Sequence, residues 1–392
     1  MRRGKRLGPA PAYALALAVG LGLALLGCRT DVSTALGFGT QGYVVTWLAQ
    51  DVVIRGIEPG QNEVFFASAA GIQSCPRQGC TGLPTSVYVT GGGPSTGGGS
   101  ISRIVGDDTR LYWTEIVAGT PPGGRVMTCE QSDCTTTATA LYQSLGVTLN
   151  PGGTTDPGFL AVDGGQAYWT ASRESPNGTL IDLFSVPADP AVPNPSVSSY
   201  AIPAEFSPIV VYDGTVYGAL ATQYGAALAS CPAAAALAGG CASQIVLADE
   251  TQYQLLSVAV FGGTVYFDAV VPQTHLAGLY ACTTPTCDAP QLVARPLWHI
   301  VAIDGDRVYG GTGTPEGNAA FGTCVIGACT QGLEALDLPF SFVQLPGIPP
   351  NMVPDVVLDP QGGAYAFGQY VTPPDNVGFG KPLNGIVHLS PP

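Results

Sequence analysis

From residue 42 to the end of the chain, apolar residues come in short runs broken by Gly, Pro, Asp and Ser, and one arrangement keeps returning. Ile209-Val-Val-Tyr-Asp-Gly-Thr-Val-Tyr217 reappears as Leu160-Ala-Val-Asp-Gly-Gly-Gln-Ala-Tyr168, Val258-Ala-Val-Phe-Gly-Gly-Thr-Val-Tyr266 and Val301-Ala-Ile-Asp-Gly-Asp-Arg-Val-Tyr309. Ile104-Val-Gly-Asp-Asp-Thr-Arg-Leu-Tyr112 is a fifth copy, and worn copies surround Glu63-Val-Phe65 and Gly363-Ala-Tyr365. The aromatic positions 65, 112, 168, 217, 266, 309 and 365 recur about every 50 residues, a period that marks stacked structural units. In each copy two apolar runs flank a Gly-rich turn, which is the local signature of a β-hairpin. A third run follows, such as Gly124-Arg-Val-Met-Thr-Cys129 or Leu279-Tyr-Ala-Cys282, and then a short fourth, such as Gln291–Ala294 or Ile245–Ala248. Residues 42–392 show no helical periodicity.

Four antiparallel strands per repeat, seven times over, predict an all-β fold: a seven-bladed β-propeller of four-stranded antiparallel blades spanning residues 42–392. The last copy has strands near 356–358, 364–370 and 386–389, with no residues left for a fourth. Tyr43-Val-Val-Thr-Trp-Leu48 has no place in the first copy and has the alternation and β-branched content of an edge strand. The expectation is that this N-terminal strand pairs with 386–389 and completes the last blade.

Ten cysteines fall in local couples: Cys75/Cys80, Cys129/Cys134, Cys231/Cys241, Cys282/Cys287 and Cys324/Cys329. Two strands joined by a four-residue turn would bring such couples within disulfide reach. A zinc site would need couples converging in fours, and the sequence has no C-x2-C. Five hairpin disulfides and no bound metal are expected.

The eleventh cysteine, Cys28, ends an export signal. Residues 1–6 are basic, Leu7 to Leu26 carry no charge, and Leu25-Leu26-Gly27-Cys28 follows. This end resembles a bacterial lipobox. The resemblance implies a signal peptide over 1–27, a lipid on Cys28 that holds the protein to the membrane, and a tether over 28–41. The alternative is an uncleaved anchor, since the run is close to spanning length. Arg29 is not the Asp that, in lipoprotein sorting, retains a protein at the inner membrane. The expected location is therefore the outer membrane, facing the periplasm or the cell surface.

Only 11% of the 392 residues are charged, with two lysines (Lys5 and Lys381), three histidines and a net charge of −14. Loss of 1–27 removes Arg2, Arg3, Lys5 and Arg6 and takes the net charge from −14 to −18. So acidic a body repels phosphate backbones, and nucleic acid is excluded as a partner. The scarcity of Lys and His also removes most nucleotide-binding and acid–base enzymes.

On its repeats and cysteine couples the chain resembles the exported, cysteine-stapled β-propeller lipoproteins of myxobacteria and related bacteria. Tyr112-Trp113-Thr114-Glu115 and Tyr168-Trp169-Thr170 are also similar to the YWTD propeller repeat, a family that usually closes with six blades. These resemblances speak to fold and leave function open.

Candidate sites follow from the repeat. Aligned copies put Arg103, Gly158, Pro208, Ser257 and His299 at equivalent starts of the first strands, so Arg103 and His299 are candidates for the channel mouth. The plainer reading is that each packs or meets solvent. Loops between second and third strands, at 172–178, 271–278, 311–322 and 371–384, vary most in length and sit on the expected binding face. Trp113 and Trp169 offer either a stacking surface for a sugar or packing between blades. Asp163, Asp213 and Asp304 read as turn residues. The run from Gly91 to Ser100 reads as a flexible loop, because no Lys follows its glycines. No Gly-x-Ser-x-Gly, His-Glu-x-x-His or Cys–His arrangement occurs. The reading is a monomeric, non-enzymatic envelope protein, binding or scaffolding, with an envelope protein or a carbohydrate as partner and no cofactor. The alternative is a carboxylate-dependent glycosidase or lyase acting on extracellular polysaccharide, and a structural coat role is third.

Overall fold

The structure, a computed structural model, describes residues 44–50, 54, 56–68, 71–90, 100–117, 123–145, 160–175, 178–192, 198–202, 206–222, 225–233, 245–248, 253–271, 273–274, 276–283, 287, 290–294, 299–305, 307–313, 319–329, 334–335, 355–371 and 382–390. All of them belong to the unit Gly37–Pro392. The signal and tether segments with Cys28, Gly158, Cys241, and the glycine run at 91–99 lie outside the described residues.

The strands form seven four-stranded antiparallel sheets, the architecture of a β-propeller. Sheets one to six are meanders over 56–89, 100–145, 160–202, 206–248, 254–294 and 299–335. Sheet seven takes Asp355–Leu358, Ala364–Val371 and Pro382–Ser390, with Val44–Gln50 as its outermost strand. Val44 pairs with Ser390, Thr46 with His388 and Trp47 with Val387, and a bulge between Trp47 and Ala49 shifts the register. The first strands neighbour one another in chain order, and the first strand of sheet seven also neighbours that of sheet one.

Both faces of a sheet are covered by neighbouring sheets, so second strands read as continuous apolar runs with no period-two alternation. Val64, Phe65, Phe66 and Ala67 are all buried, as are Val265 through Ala269. Phe65, Ile101 and Trp113 fill the space between sheets one and two, and Tyr112, Trp169 and Val186 that between two and three. Tyr217, Leu255 and Phe267 pack sheet four on sheet five, while Leu48, Phe66, Tyr365 and Ile386 pack sheet seven on sheet one. Each such side chain contributes roughly 2–3 kcal/mol of burial. The turns fit the hairpins: Asp213 and Gly214, at φ 47° and 67°, adopt the left-handed pair that a two-residue turn needs.

Three expectations need correction. The disulfides Cys75–Cys80, Cys129–Cys134, Cys282–Cys287 and Cys324–Cys329 form, with Cα separations of 5.1, 4.9, 5.1 and 5.4 Å. Their second cysteines, however, sit in the turn ahead of the fourth strand, so each bridge closes a loop and not a ladder. Cys231 is also disulfide-bonded. One of these turns is a short helix, Cys134–Thr137, in a region read as strand and turn; Asp133 caps it by accepting from the Thr136 N–H. Finally, the loops between second and third strands are shorter than expected. Sheet three pairs Gln166–Ser175 with Gly178–Pro187, and sheet six pairs Arg307–Gly313 with Ala319–Val325. Paired neighbours carry the ladder through weak strand formers such as Gly311 and Gly322.

Candidate functional site

The first strands of sheets two, four, five and six bulge near the end away from their Gly-rich turns, between Ile101 and Arg103, Phe206 and Ile209, Leu255 and Ser257, and Ile300 and Ala302. A bulge spends one residue outside the ladder and re-aims the side chains beside it. Counted by pairing, Arg103, Ser257 and His299 stand at one height. They face Thr114, Asp268 and Gly311, each two residues past the buried tyrosine of its second strand. Pro208 falls inside the bulge of sheet four. The Arg103 side chain is exposed, whereas the side chain of His299 lies outside the described residues.

Below Arg103, toward the turns, sits a group the sequence did not single out. Glu58, on the first strand of sheet one, is half-buried against the first strand of sheet two and accepts a hydrogen bond from the Gly106 backbone N–H. Glycine is required opposite it: a Cβ on Gly106 would stand 2.8 Å from Glu58 Cγ. Burial pushes the Glu58 carboxyl up to about 8, with Asp107 adding to the shift and the charge of Arg103 opposing it. Asp107 behaves oppositely. Burial would raise it, but the Thr109 and Arg110 N–H groups and the Tyr112 hydroxyl hold it below the ordinary carboxylate range. Two carboxyls pushed apart in this way are what an acid–base pair requires. Asp107 is nevertheless committed to its own turn: Oδ1 accepts from Thr109 N and Arg110 N at 2.8 Å each, and Oδ2 accepts from Tyr112 Oη at 2.8 Å. Those bonds hold the carboxylate in its turn, with Oδ1 taken by Thr109 and Arg110 and Oδ2 engaged by Tyr112.

The remaining polar clusters tie sheets together. Glu115, fully buried in sheet two, accepts from Tyr88 of sheet one at 3.0 Å and from Arg125 at 2.9 Å. Arg77, beyond the third strand of sheet one, reaches Asp359 in the turn of sheet seven. Burial alone would raise Asp359; hydrogen bonds from His388, Arg77 and the Gln361 N–H hold it well below the usual range. His388 Nε2 lies 2.9 Å from Asp359 Oδ2, and Ser390 Oγ lies 3.2 Å from His388 Nδ1. The Asp–His–Ser order looks like a nucleophile relay. But Arg77 and the Tyr365 hydroxyl already occupy Asp359, and the Tyr365 ring stacks on the imidazole at 4.5 Å. The arrangement is a joint between sheets.

Trp113 and Trp169 are fully buried, Trp113 against Tyr88 and Trp169 stacked on Phe184, so neither presents a face to a sugar. Asp163 does more than shape its own turn: its carboxylate accepts from the Asp213 and Gly214 N–H groups of the next sheet, at 3.2 and 2.9 Å. Among the described residues no three His, Cys, Asp or Glu side chains gather as metal ligands, and no helix is long and apolar enough to cross a membrane.

No protein-family model matches the sequence, and no curated protein matches it significantly. Similar solved structures include oligopeptidase B from Leishmania major, at 11% identity and a TM-score of 0.46, covering 82% of this chain and 45% of that one. A protein from Lactobacillus plantarum is similar at 11% identity and 0.41, over 74% and 89% of the two chains. A protein from Bacteroides uniformis, proposed in its description to be a 6-phosphogluconolactonase, is similar at 12% and 0.41, over 75% and 90%. This chain thus spans under half the length of the oligopeptidase. At these identities and TM-scores the similarity carries nothing about chemistry.

Proposed function

We propose that this chain is an envelope binding protein: one ring of seven blades, closed by Val44–Gln50 as the outer strand of the last blade and tethered to the outer membrane through a lipid on Cys28. The observation that carries the binding reading is the row of bulged first strands with an exposed guanidinium at their height, while Asp107, Glu115 and Asp359 are each occupied by structural partners. Ring closure is supported by the Val44–Ser390 ladder and by the contact between the first strands of sheets seven and one. The anchor is supported by the basic start, the uncharged run and Gly27-Cys28. The ligand enters at the bulged end, and the acidic body keeps nucleic acid away.

Screening the mature protein against neutral and acidic polysaccharides and against envelope proteins tests the reading. Binding without turnover is the expected result; release of reducing ends or unsaturated sugars would establish the glycosidase or lyase instead. For the anchor, Cys28→Ser is expected to block maturation and to shift the protein out of membrane fractions. An unchanged mass and unchanged fractionation would contradict lipidation.

A further inference from the structure

We propose that the end of the propeller carrying the Gly-rich turns is a docking face that rests on a zwitterionic lipid surface, with the bulged end turned outward. The proposal takes the lipid on Cys28 from the reading above and adds the face on which the ring sits. Pairing fixes which residues stand at the turn end. Tyr212 and Phe261 pair with Thr215 and Thr264 as the last residues of their first strands before the turn. The third strands of sheets one, three and five end at the same height, since Pro76, Pro187 and Thr283 pair with Glu63, Gln166 and Thr264. Leu83 and Val192 lie in the connections that follow the first two of these, and Leu292 is the second residue of the strand that follows the last. The turns of neighbouring sheets meet on this side. The Gln361 side chain donates to the Gln61 carbonyl, the Gln61 side chain donates to the Asp108 carbonyl, and the Asp163 carboxylate accepts from the Asp213 and Gly214 N–H groups.

Among the described residues six large apolar side chains are exposed, and these five are all of them but Val89, which pairs with Gly71 at the other end. Single exposed apolar residues are ordinary on a surface, but five of six at one end are a pattern. Leu83 is 96% exposed, and Gly262 and Gly263, beside Phe261, leave open space where a side chain would stand. The five are spread over sheets one, three, four and five and share a height more than a patch. A flat apolar layer reaches such a set together, whereas a protein partner would need them contiguous. The chain also enters the ring at this end: Val44 pairs with Ser390, and Leu389 with Ala364, the first residue after the turn of sheet seven. The 15 residues from Arg29 to Tyr43 reach at most about 50 Å, so a lipid on Cys28 holds the turn end near the bilayer. Charge narrows the surface further. Asp108, Asp133, Asp189 and Asp213 are exposed at the same end, while Arg77 and Arg110 are ion-paired. An anionic leaflet, or a second copy of this acidic face, would be repelled.

Hydroxyl-radical footprinting of the full mature chain, residues 28–392, tests this. The chain is coupled through the Cys28 thiol to a maleimide-bearing lipid in phosphatidylcholine vesicles, so the result does not depend on whether cells lipidate Cys28. Relative to the uncoupled chain, oxidation of Leu83, Tyr212 and Phe261 is expected to fall severalfold while that of Val89 stays level. Phosphatidylglycerol in the vesicles is expected to weaken this protection. Leu83→Asp, at an exposed site, is expected to weaken it at Tyr212 and Phe261 with Tm unchanged. Equal oxidation with and without vesicles, or an equal fall at Val89, would overturn the docking face and leave the anchor, judged by Cys28→Ser fractionation, standing. Stronger protection on phosphatidylglycerol vesicles would overturn the zwitterionic assignment. Protection of the same residues in the uncoupled chain that grows with its concentration would assign the face to a second copy and overturn the lipid surface.

Discussion

Asp268 stands two positions past Tyr266, where sheets two and three carry Thr114 and Thr170. It is fully buried, and neither carboxylate oxygen has a hydrogen-bond partner among the described residues. It lies on the face shared with Tyr266, which packs with Leu279, Ile303 and Val308 between sheets five and six. Burial raises the group to about 7. Between its unfolded value near 3.8 and about 7 the folded chain therefore binds the extra proton, so stability is full at the acid end and declines as pH rises through that window. The decline is on the order of 4 kcal/mol. Asp268→Asn and Asp268→Thr are expected to flatten the decline and to exceed the wild type in Tm at pH 8. Thermal melts from pH 5 to 8 check this, and parallel profiles for wild type and variants would contradict it. Nothing in the sequence marked Asp268 or Glu58, because what perturbs them is a neighbouring sheet about 50 residues away. Asp163 and Asp213 were readable as turn residues, since a tight turn is a local event.

At the level of elements, what was readable was also local. The aromatic residue of each second strand, the tight turn before it and, where present, the cysteine couple after the third strand all lie within one repeat. The fourth strands Ile245–Ala248 and Gln291–Ala294 occupy the residues expected of them. The second and third strands were read too short, because glycine and serine near the bulged end looked like loop and are held in the ladder by pairing on both sides. The disulfides illustrate how little a local crosslink adds. The four bridges Cys75–Cys80, Cys129–Cys134, Cys282–Cys287 and Cys324–Cys329 each close a loop with a sequence separation of 5, which limits the entropic gain to about 2 kcal/mol. Replacing Cys282 and Cys287 together by Ser is expected to lower the unfolding free energy by about that amount while leaving the propeller folded. Denaturant melts read it; collapse of the native circular-dichroism spectrum in the double variant would show that the bridge does far more than close its own loop.

For the whole molecule the question is how the two ends of the domain meet. Among the described residues sheet seven has three strands from 355–390, and its outer position is taken by Val44–Gln50, whose Leu48 carbonyl also accepts from the Cys80 N–H of sheet one. Arg77 and Asp359 add an ionic tie across the same joint, and Leu48 packs with Phe66 and Tyr365. Each sheet buries its faces only on its neighbours, so an open joint would leave two of them bare. The pairing partner of the N-terminal strand could be inferred from a strand missing at one end and a spare one at the other. The Arg77–Asp359 tie could not, because 282 residues separate its partners. Native-state hydrogen exchange of residues 44–50 and 385–390 measures the closure directly. A closed ring predicts that the amides of Val45 and Trp47 exchange as slowly as those of Ile386 and Leu389, through global unfolding alone. Exchange of the N-terminal strand within seconds, with the other sheets still protected, would contradict it.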